Sequence, residues 1–127
     1  MLYAPTQDNQ ISKNLFKTNL EGLLFLPHDF FPDERGFFSQ VIISELTSYL
    51  NKPFEIKQIN HSHSLQNVAR GIHTESWNKF VTVVSGTAFV AISEIRPESS
   101  NFGQCQYFNL GQGKDALRGS LFISSGL

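Results

Sequence analysis

An all-β fold is predicted by three features of this sequence. Twelve of the 127 residues are phenylalanine, against one methionine and one tryptophan, and aromatic side chains favour pleated, half-buried strands over helices. Short apolar runs are separated by Gly, Pro, Asn and Asp at close spacing. Many short strands with frequent turns are typical of an antiparallel sandwich or barrel. The length fits one domain that buries a core without disulfides.

The chain divides into a polar arm over residues 1–20 and a domain over residues 21–127. The arm is aperiodic, so we expect it to order only against another surface. A single helix is predicted over residues 44–50, because Ser44 can act as N-cap and Pro53 follows the end. Strands are predicted over residues 21–26, 36–43, 54–64, 107–110 and 121–124, with two more in residues 80–95 joined by a tight turn at Ser85-Gly86.

The segment 54–64 has an unusual alternation. One face carries an almost wholly polar row, which consists of Ile56, Gln58, Asn60, Ser62 and Ser64. The opposite face carries Glu55, Lys57, Ile59, His61 and His63. A polar face is odd for a strand that packs on a core, and it indicates a wet cavity.

Charge and composition exclude several classes of partner. The net charge is −1 with no basic run, which suggests neither nucleic acid nor an anionic membrane. No apolar stretch approaches the ~20 residues needed to span a bilayer. Cys105 is the one cysteine and cannot form an internal disulfide, and the first residues lack the pattern of a signal peptide. We therefore expect a cytoplasmic location.

Candidate chemistry is concentrated between residues 70 and 79. Arg70-Gly71-Ile72-His73 is followed six residues after the histidine by Lys79. Histidine titrates near neutrality and therefore suits a general base at physiological pH. A lone histidine is more often an ordinary surface or hydrogen-bonded residue, so its surroundings must decide.

A metal site is the alternative use of the histidines. His61 and His63 share a strand face and could bind one ion, but a site needs further ligands. His73 and Glu75 are the nearest candidates and lie across a turn, so the sequence favours a solvated strand face and no metal.

A third motif is the turn from Phe31 to Phe38. It combines Arg35 with several phenylalanines, which suits a phosphate contact beside a base-stacking surface. An ordinary hairpin turn with core phenylalanines explains the same residues.

Together these segments resemble one known family. The motifs are Phe31-x-Asp33-x-Arg35-Gly36-Phe37-Phe38, Gln58-x-Asn60-x-Ser62-x-Ser64 and Arg70-Gly71-Ile72-His73, followed by Lys79-Phe80-Val81, Glu94-Ile95-Arg96 and Leu121-Phe122-Ile123. In order and spacing they resemble the dTDP-4-dehydrorhamnose 3,5-epimerase family over most of the chain.

The resemblance implies a cupin-like jelly roll, in a homodimer whose N-terminal strand crosses to the partner. It implies epimerisation of a dTDP-linked 4-keto-6-deoxyhexose at carbons 3 and 5, without metal or organic cofactor. By this resemblance His73 is the base and Lys79 a catalytic cation that, with Arg70, supplies positive charge near an enolate oxygen or phosphate. Phe31 and Arg35 match nucleotide-contacting positions, and Gln58 and Asn60 match pocket-lining ones.

Some positions depart from the family pattern. Gln40 stands where the family usually has a glutamate, and Val90 where it usually has an aspartate. The family's catalytic tyrosine and the carboxylate that orients its histidine lie beyond Leu127, so the resemblance implies a domain incomplete at its C-terminus. Two alternatives follow: a nucleotide-sugar-binding module without catalysis, and a metal-dependent cupin that uses His61, His63 and His73.

Overall fold

The computed structural model describes residues 1–127, and its regular secondary structure consists almost wholly of strands. The strands are β1 (Gln10–Ser12), β2 (Leu15–Lys17), β3 (Leu23–Pro27), β4 (Asp29–Asp33), β5 (Gly36–Gln40), β6 (Lys79–Thr82), β7 (Thr87–Ser93), β8 (Cys105–Gly111) and β9 (Gly119–Ile123). One helix, α1, spans Ser44–Leu50, and one 3₁₀ turn spans Gln7–Asn9. The predicted all-β class with one short helix is confirmed. No helix of the chain is long and apolar enough to cross a bilayer.

Strand β9 lies inside the largest sheet. That sheet has the order β1-β2-β3-β9-β6 with antiparallel pairing throughout. Leu121 of β9 pairs with Phe25 on one side and with Val81 on the other. The remaining strands form two antiparallel hairpins, β4–β5 and β7–β8. The result is a sandwich of sheets and not a closed barrel.

Each face of the large sheet packs on a separate apolar cluster, because alternate side chains of a strand point to opposite faces. The inner cluster joins β3 and β9 to β8 and consists mainly of Leu23, Phe25, Phe108, Leu110, Leu121 and Ile123. The outer cluster lies under α1 and consists of Leu15, Leu24, Leu26, Leu46 and Phe122. The domain is therefore a three-layer arrangement of hairpin, sheet and helix.

Two sequence predictions about the strands are wrong. Residues 54–64 are extended but pair with no other strand, and nearly all are exposed. The strands in residues 80–95 do form, as β6 and β7, but not as a hairpin: β6 pairs with β9, and β7 pairs with β8. Local sequence predicts a turn at Gly86, but it does not reveal which distant strand each flank will pair with.

Strand β4 was missed because it contains Pro32, which reads as a turn residue. Proline lacks a backbone donor and is accepted in strands whose outer edge is free. The two-stranded β4–β5 hairpin has such an edge.

The first twenty residues contact their own chain. Strands β1 and β2 extend the large sheet beside β3. The Tyr3 amide donates to the Tyr107 carbonyl oxygen at 2.7 Å, and the Tyr3 ring is buried with its hydroxyl donating to the Lys17 carbonyl oxygen at 2.9 Å. Burial raises the pKa of Tyr3 to about 12. The arm thus contributes to the inner cluster.

A buried ion pair ties β7 to the large sheet. Glu94 is fully buried, and both of its carboxylate oxygens accept hydrogen bonds from the Arg96 guanidinium. The same guanidinium donates to the Glu21 carbonyl oxygen at 2.7 Å, immediately before β3. Gly126 lies against the Arg96 side chain, where a Cβ would come within 2.8 Å of its Cγ, and its φ of +87° also disfavours other residues. One arginine therefore joins three parts of the chain.

This ion pair predicts an acid-sensitive fold. Hydrogen bonds from Arg96 lower the pKa of Glu94 from 4.5 to about 2 despite its burial. The stabilisation is complete above the unfolded-state pKa and is lost as the pH falls through the folded-state value. Between pH 6 and pH 3 this carboxyl should remove roughly 2 kcal/mol from the free energy of unfolding.

Urea unfolding at both pH values checks this prediction. The Glu94→Gln variant should start less stable but lose less on acidification, whereas Glu34→Gln, at an exposed glutamate of the β4–β5 turn, should follow the wild type. Equal losses in all three proteins would contradict the assignment.

Candidate functional site

His73 and Lys79 face the same small cavity. Its volume is about 120 Å³, and its lining includes Ile72, Thr74, Ala91, Ile92, Ser93, Ile95 and Leu127 as well as the two basic residues. His73 is exposed and Lys79 is half-buried. No Asp, Glu or Tyr side chain contributes to the lining. The cavity therefore offers a histidine that can accept a proton and a lysine cation, but no acidic side chain.

The position of Lys79 is set by the sheet. Lys79 opens β6 and pairs with Ile123 of β9. Its Nζ donates to the Leu127 carbonyl oxygen at 3.2 Å, which uses one of three ammonium donors. Two donors remain for a ligand in the cavity.

The loop between His73 and Lys79 is tied to the turn after β9. The Ser125 amide donates to the Asn78 side-chain oxygen at 3.0 Å, and the Gly126 amide donates to the Glu75 carbonyl oxygen at 3.3 Å. This turn therefore holds the loop from both ends, and His73 enters the cavity from a backbone anchored to β9.

The other predicted pocket residues do not line this cavity. Gln58 Nε2 donates to Asn60 Oδ1 at 2.9 Å, so these two side chains contact each other. Arg70 Nε donates to Ser64 Oγ at 2.8 Å. All are exposed. We call Gln58, Asn60, Ser64 and Arg70 the polar strip, after their order along the chain that leads to His73.

Phe31 and Arg35 lie on the β4–β5 hairpin, outside the cavity lining. Phe31 pairs with Phe38 across the strands, and their rings stack with centroids 6.2 Å apart. Arg35 forms an exposed ion pair with Asp33 at 2.6 Å. The hydrogen bonds between them lower the pKa of Asp33 and raise that of Arg35. The hairpin thus presents an aromatic pair beside a cation.

A larger open cleft of about 390 Å³ lies between β1 and α1, but it contains none of the predicted residues. Its one carboxylate, Glu45, already accepts hydrogen bonds from Ser12 Oγ at 2.5 Å and the Asn14 amide at 2.7 Å. No cluster of three His, Cys, Asp or Glu side chains is arranged to hold a metal ion. His61, His63 and His73 are thus not brought together as one ligand group in this structure.

Sequence reasoning missed a polar cluster on the outer face of the large sheet. His28 Nε2 lies 2.7 Å from Ser120 Oγ, which lies 2.6 Å from Thr82 Oγ1. The Arg118 guanidinium covers the Phe30 ring at 3.5 Å from its centroid. Alternation along β9 would have placed Arg118 and Ser120 on one face, but only the strand pairing brings His28 and Thr82 to them.

The fold and cavity define a small cupin-like β-sandwich that carries a histidine and a lysine on one cavity. The comparisons with known proteins identify the family. The family model for dTDP-4-dehydrorhamnose 3,5-epimerase matches residues 17–127, and the chain belongs to that family. The resemblance found in the sequence motifs is confirmed.

Several relatives share this name. The chain is 35% identical over 96 residues to a dTDP-4-dehydrorhamnose 3,5-epimerase of Escherichia coli, covering 72% of this chain and 52% of that protein. It is 36% identical over 100 residues to one of Mycolicibacterium smegmatis, with 75% and 48% covered. The chain thus spans about half the length of the curated relatives that it matches.

Two solved structures share the fold. The Mycobacterium tuberculosis rmlC epimerase aligns with a TM-score of 0.76 at 25% identity, over 87% of this chain and 56% of that one. The Legionella pneumophila dTDP-6-deoxy-D-glucose-3,5-epimerase aligns with a TM-score of 0.74 at 29% identity, over 89% and 61%, and its structure contains dTDP-4-keto-L-rhamnose.

The outer-face cluster predicts a second pH dependence. Burial and the adjacent Arg118 charge lower the pKa of His28 below 6.5. Below that pH the unfolded chain binds a proton that the folded chain resists, so stability is full above about pH 6.5 and falls under acid conditions. In urea unfolding at pH 7.5 and 5.5, His28→Gln should lose less stability than the wild type. The exposed control His61→Gln should behave as the wild type, and an undiminished loss in His28→Gln would refute the prediction.

Proposed function

We propose that this chain carries the proton-abstraction half of a nucleotide-sugar 3,5-epimerase site, acting on a dTDP-linked 4-keto-6-deoxyhexose. The observation that carries the proposal is the convergence of His73 and Lys79 on one cavity in a chain of this family. The sequence separation of the two residues does not by itself require this convergence. The β6–β9 register and the anchored loop bring the two side chains to the same cavity.

The chemistry needs one base and one cation. His73, as the neutral imidazole, removes the proton from carbon 3 or carbon 5, and the C–H electron pair forms a C=C bond as the ketone oxygen becomes an enolate. The Lys79 ammonium stabilises that oxygen through its free donors. Return of a proton to carbon re-forms the ketone. No electron leaves the substrate, so the reaction consumes no redox cofactor.

The dimensions of the cavity suit only the sugar. Ligand pockets for whole small molecules occupy roughly 300–1,000 Å³, whereas this cavity has about 120 Å³. The nucleotide would therefore lie outside it. By the family motif we assign the base to the Phe31 and Phe38 rings and the diphosphate to Arg35, because stacking surfaces and guanidinium groups suit these ligands. The hairpin leaves the large sheet at the Pro27–Gly119 pair, at the end of β9 opposite to the Ile123–Lys79 pair, so in the proposed homodimer it would serve the partner's cavity.

The polar strip would serve the part of the ligand nearest the cavity. Gln58 and Asn60 offer amide donors and acceptors for sugar hydroxyls. Arg70 offers a second cation within three residues of His73, suited to a phosphate oxygen. These roles rest on the family motif and on the exposure of the three side chains.

A binding module without turnover is the second candidate. The cavity lining contains no tyrosine or carboxylate, so these residues provide no acid for the face opposite His73. Val90, at the position where the family usually has an aspartate, packs against the inner apolar cluster. In this alternative the site binds the nucleotide sugar and carries out no proton transfer.

We further propose a homodimer that exchanges its N-terminal strand, located in the reducing cytoplasm, where the free thiol of Cys105 is stable. Large apolar side chains that are exposed in the single chain support the proposal, because an interface would cover them. Ile59, Ile72 and Trp77 are 80%, 94% and 60% exposed. In a dimer with exchanged arms, Tyr3 of one chain would make with Tyr107 of the other the contact that it makes here within one chain.

The first prediction of this proposal is deuterium wash-in. Incubation with dTDP-4-keto-6-deoxyglucose in D2O should place deuterium at carbon 3 or carbon 5, detected by mass spectrometry and NMR. Positioned acid–base catalysis contributes ~10²–10⁴-fold, so His73→Asn should slow the exchange by about that factor while dTDP binding persists. Lys79→Met should also slow it, and His61→Ala should not. Exchange at the buffer rate in the wild type would exclude the epimerase and leave the binding module.

The second prediction concerns assembly. Sedimentation velocity at micromolar concentration should give a dimer. In a Cys105→Ser background, Leu2→Cys and Tyr107→Cys occupy paired positions, and a short bifunctional maleimide should yield a denatured product of twice the chain mass if the arm is exchanged. A monomer, or a product cross-linked only within one chain, would contradict strand exchange.

A further inference from the structure

The β4–β5 hairpin is a separate two-stranded sheet with few connections to the rest of the molecule. Its strands pair only with each other. An isolated two-stranded hairpin is at best marginally stable in water. Something outside the hairpin must therefore hold its orientation.

Four contacts connect its base to the domain. Two come from His28, whose amide donates to the Arg118 carbonyl oxygen at 3.1 Å and whose Nε2 lies 2.7 Å from Ser120 Oγ. Lys13 and Asp29 form an ion pair at 3.3 Å with the lysine largely exposed, and such surface pairs contribute little. The fourth contact is the only one made with the strands' aromatic side chains: the Arg118 guanidinium lies 3.5 Å from the Phe30 ring centroid and 5.9 Å from that of Phe37.

The hairpin has two different faces: an anchoring face that contacts Arg118, and a free face on the opposite side. Phe30 and Phe37 lie on one face, with ring centroids 5.0 Å apart, and this pair receives Arg118. By the alternation of strand side chains, Phe31 and Phe38 lie on the opposite face. Phe31 and Phe38 are 53% and 60% exposed; on the anchoring face Phe30 is partly buried, while Phe37 is also 53% exposed. The side chains that hold the hairpin are thus distinct from those assigned to the nucleotide.

Arginine suits the anchoring position better than lysine. Its planar guanidinium stacks on an aromatic face, while the compact ammonium of lysine is strongly hydrated. Arg118 Nε is buried without a hydrogen-bond partner, a cost that the ring contact must offset. The neighbouring β9 residue Gly119 admits no side chain, because a Cβ would lie 2.4 Å from the Phe25 ring, so the backbone that carries Arg118 is closely packed.

We propose that Arg118 is a positioning residue, whose stacking on Phe30 fixes the β4–β5 hairpin and thereby the nucleotide-contacting face that carries Phe31 and Arg35. This inference rests on the proposed function only for the identity of the ligand. The orientation of the hairpin by Arg118 stands on the contacts themselves. Arg118 does not touch the substrate in this account, and its effect is transmitted through the aromatic pair.

Hydrogen exchange and nucleotide binding test the proposal together. Arg118→Met and Phe30→Leu should each accelerate amide exchange in β4 and β5 by about 3- to 30-fold, the range expected for a cation–π contact, while β9 amides stay protected. Arg118→Lys should give an intermediate rate. The double variant Arg118→Met/Phe30→Leu should be no worse than either single one, since both remove the same contact.

The functional arm uses titration calorimetry with dTDP and the deuterium exchange assay. Arg118→Met should weaken dTDP binding and raise the KM of the sugar nucleotide by a similar factor, with the exchange rate at saturation unchanged. Lys114→Met removes a cation from the same exposed loop and should leave every readout unchanged. Hairpin exchange unaltered in both Arg118→Met and Phe30→Leu would overturn the positioning role. Failure of the wild type to bind dTDP would instead refute the proposed function.

Discussion

The pairing of β9 between β3 and β6 is the constraint on which the rest of the structure depends. Leu121 and Ile123 contribute to the inner cluster, while Phe122 contributes to the outer one. The same strand sets Lys79 opposite Ile123, and the turn that follows it ties down the loop of His73. Arg118, immediately before the strand, reaches the hairpin. The apolar clusters, the cavity and the hairpin are therefore all positioned by one five-residue strand, β9.

The two candidate ligand-contacting regions are held in different ways. The cavity of His73 and Lys79 is formed by β6, β7 and a loop that is tied to the turn after β9. The β4–β5 hairpin pairs with no other strand and is held at its base, in part, by the Arg118 guanidinium on the Phe30 ring. Loops and hairpins of low local stability are where binding segments are commonly found.

The sequence predicted the fold class well because its signals were local. Ser44 to Leu50 formed the one helix at the expected positions, although Ser44 is its first residue and Ile43, not Ser44, is the N-cap. The apolar runs near residues 107 and 121 became β8 and β9. The strand expected at residues 54–64 did not form, since alternation specifies which side chains share a face but supplies no pairing partner. Strand β4 was hidden by Pro32, and the false hairpin at Gly86 arose because turn chemistry does not specify long-range pairing.

For the site, motif spacing predicted His73 and Lys79, and the structure places both on one cavity, but Gln58, Asn60 and Arg70 lie outside it. His28 and Arg118 escaped notice because their partners come from distant strands.

The most direct measurement is a crystal structure with a bound dTDP-4-keto sugar. The account predicts carbon 3 or carbon 5 at about 3–3.5 Å from a His73 ring nitrogen, as a reactive geometry requires, with the ketone oxygen towards Lys79. A sugar seated in the cleft beside Glu45, or one that leaves His73 out of contact, would contradict it.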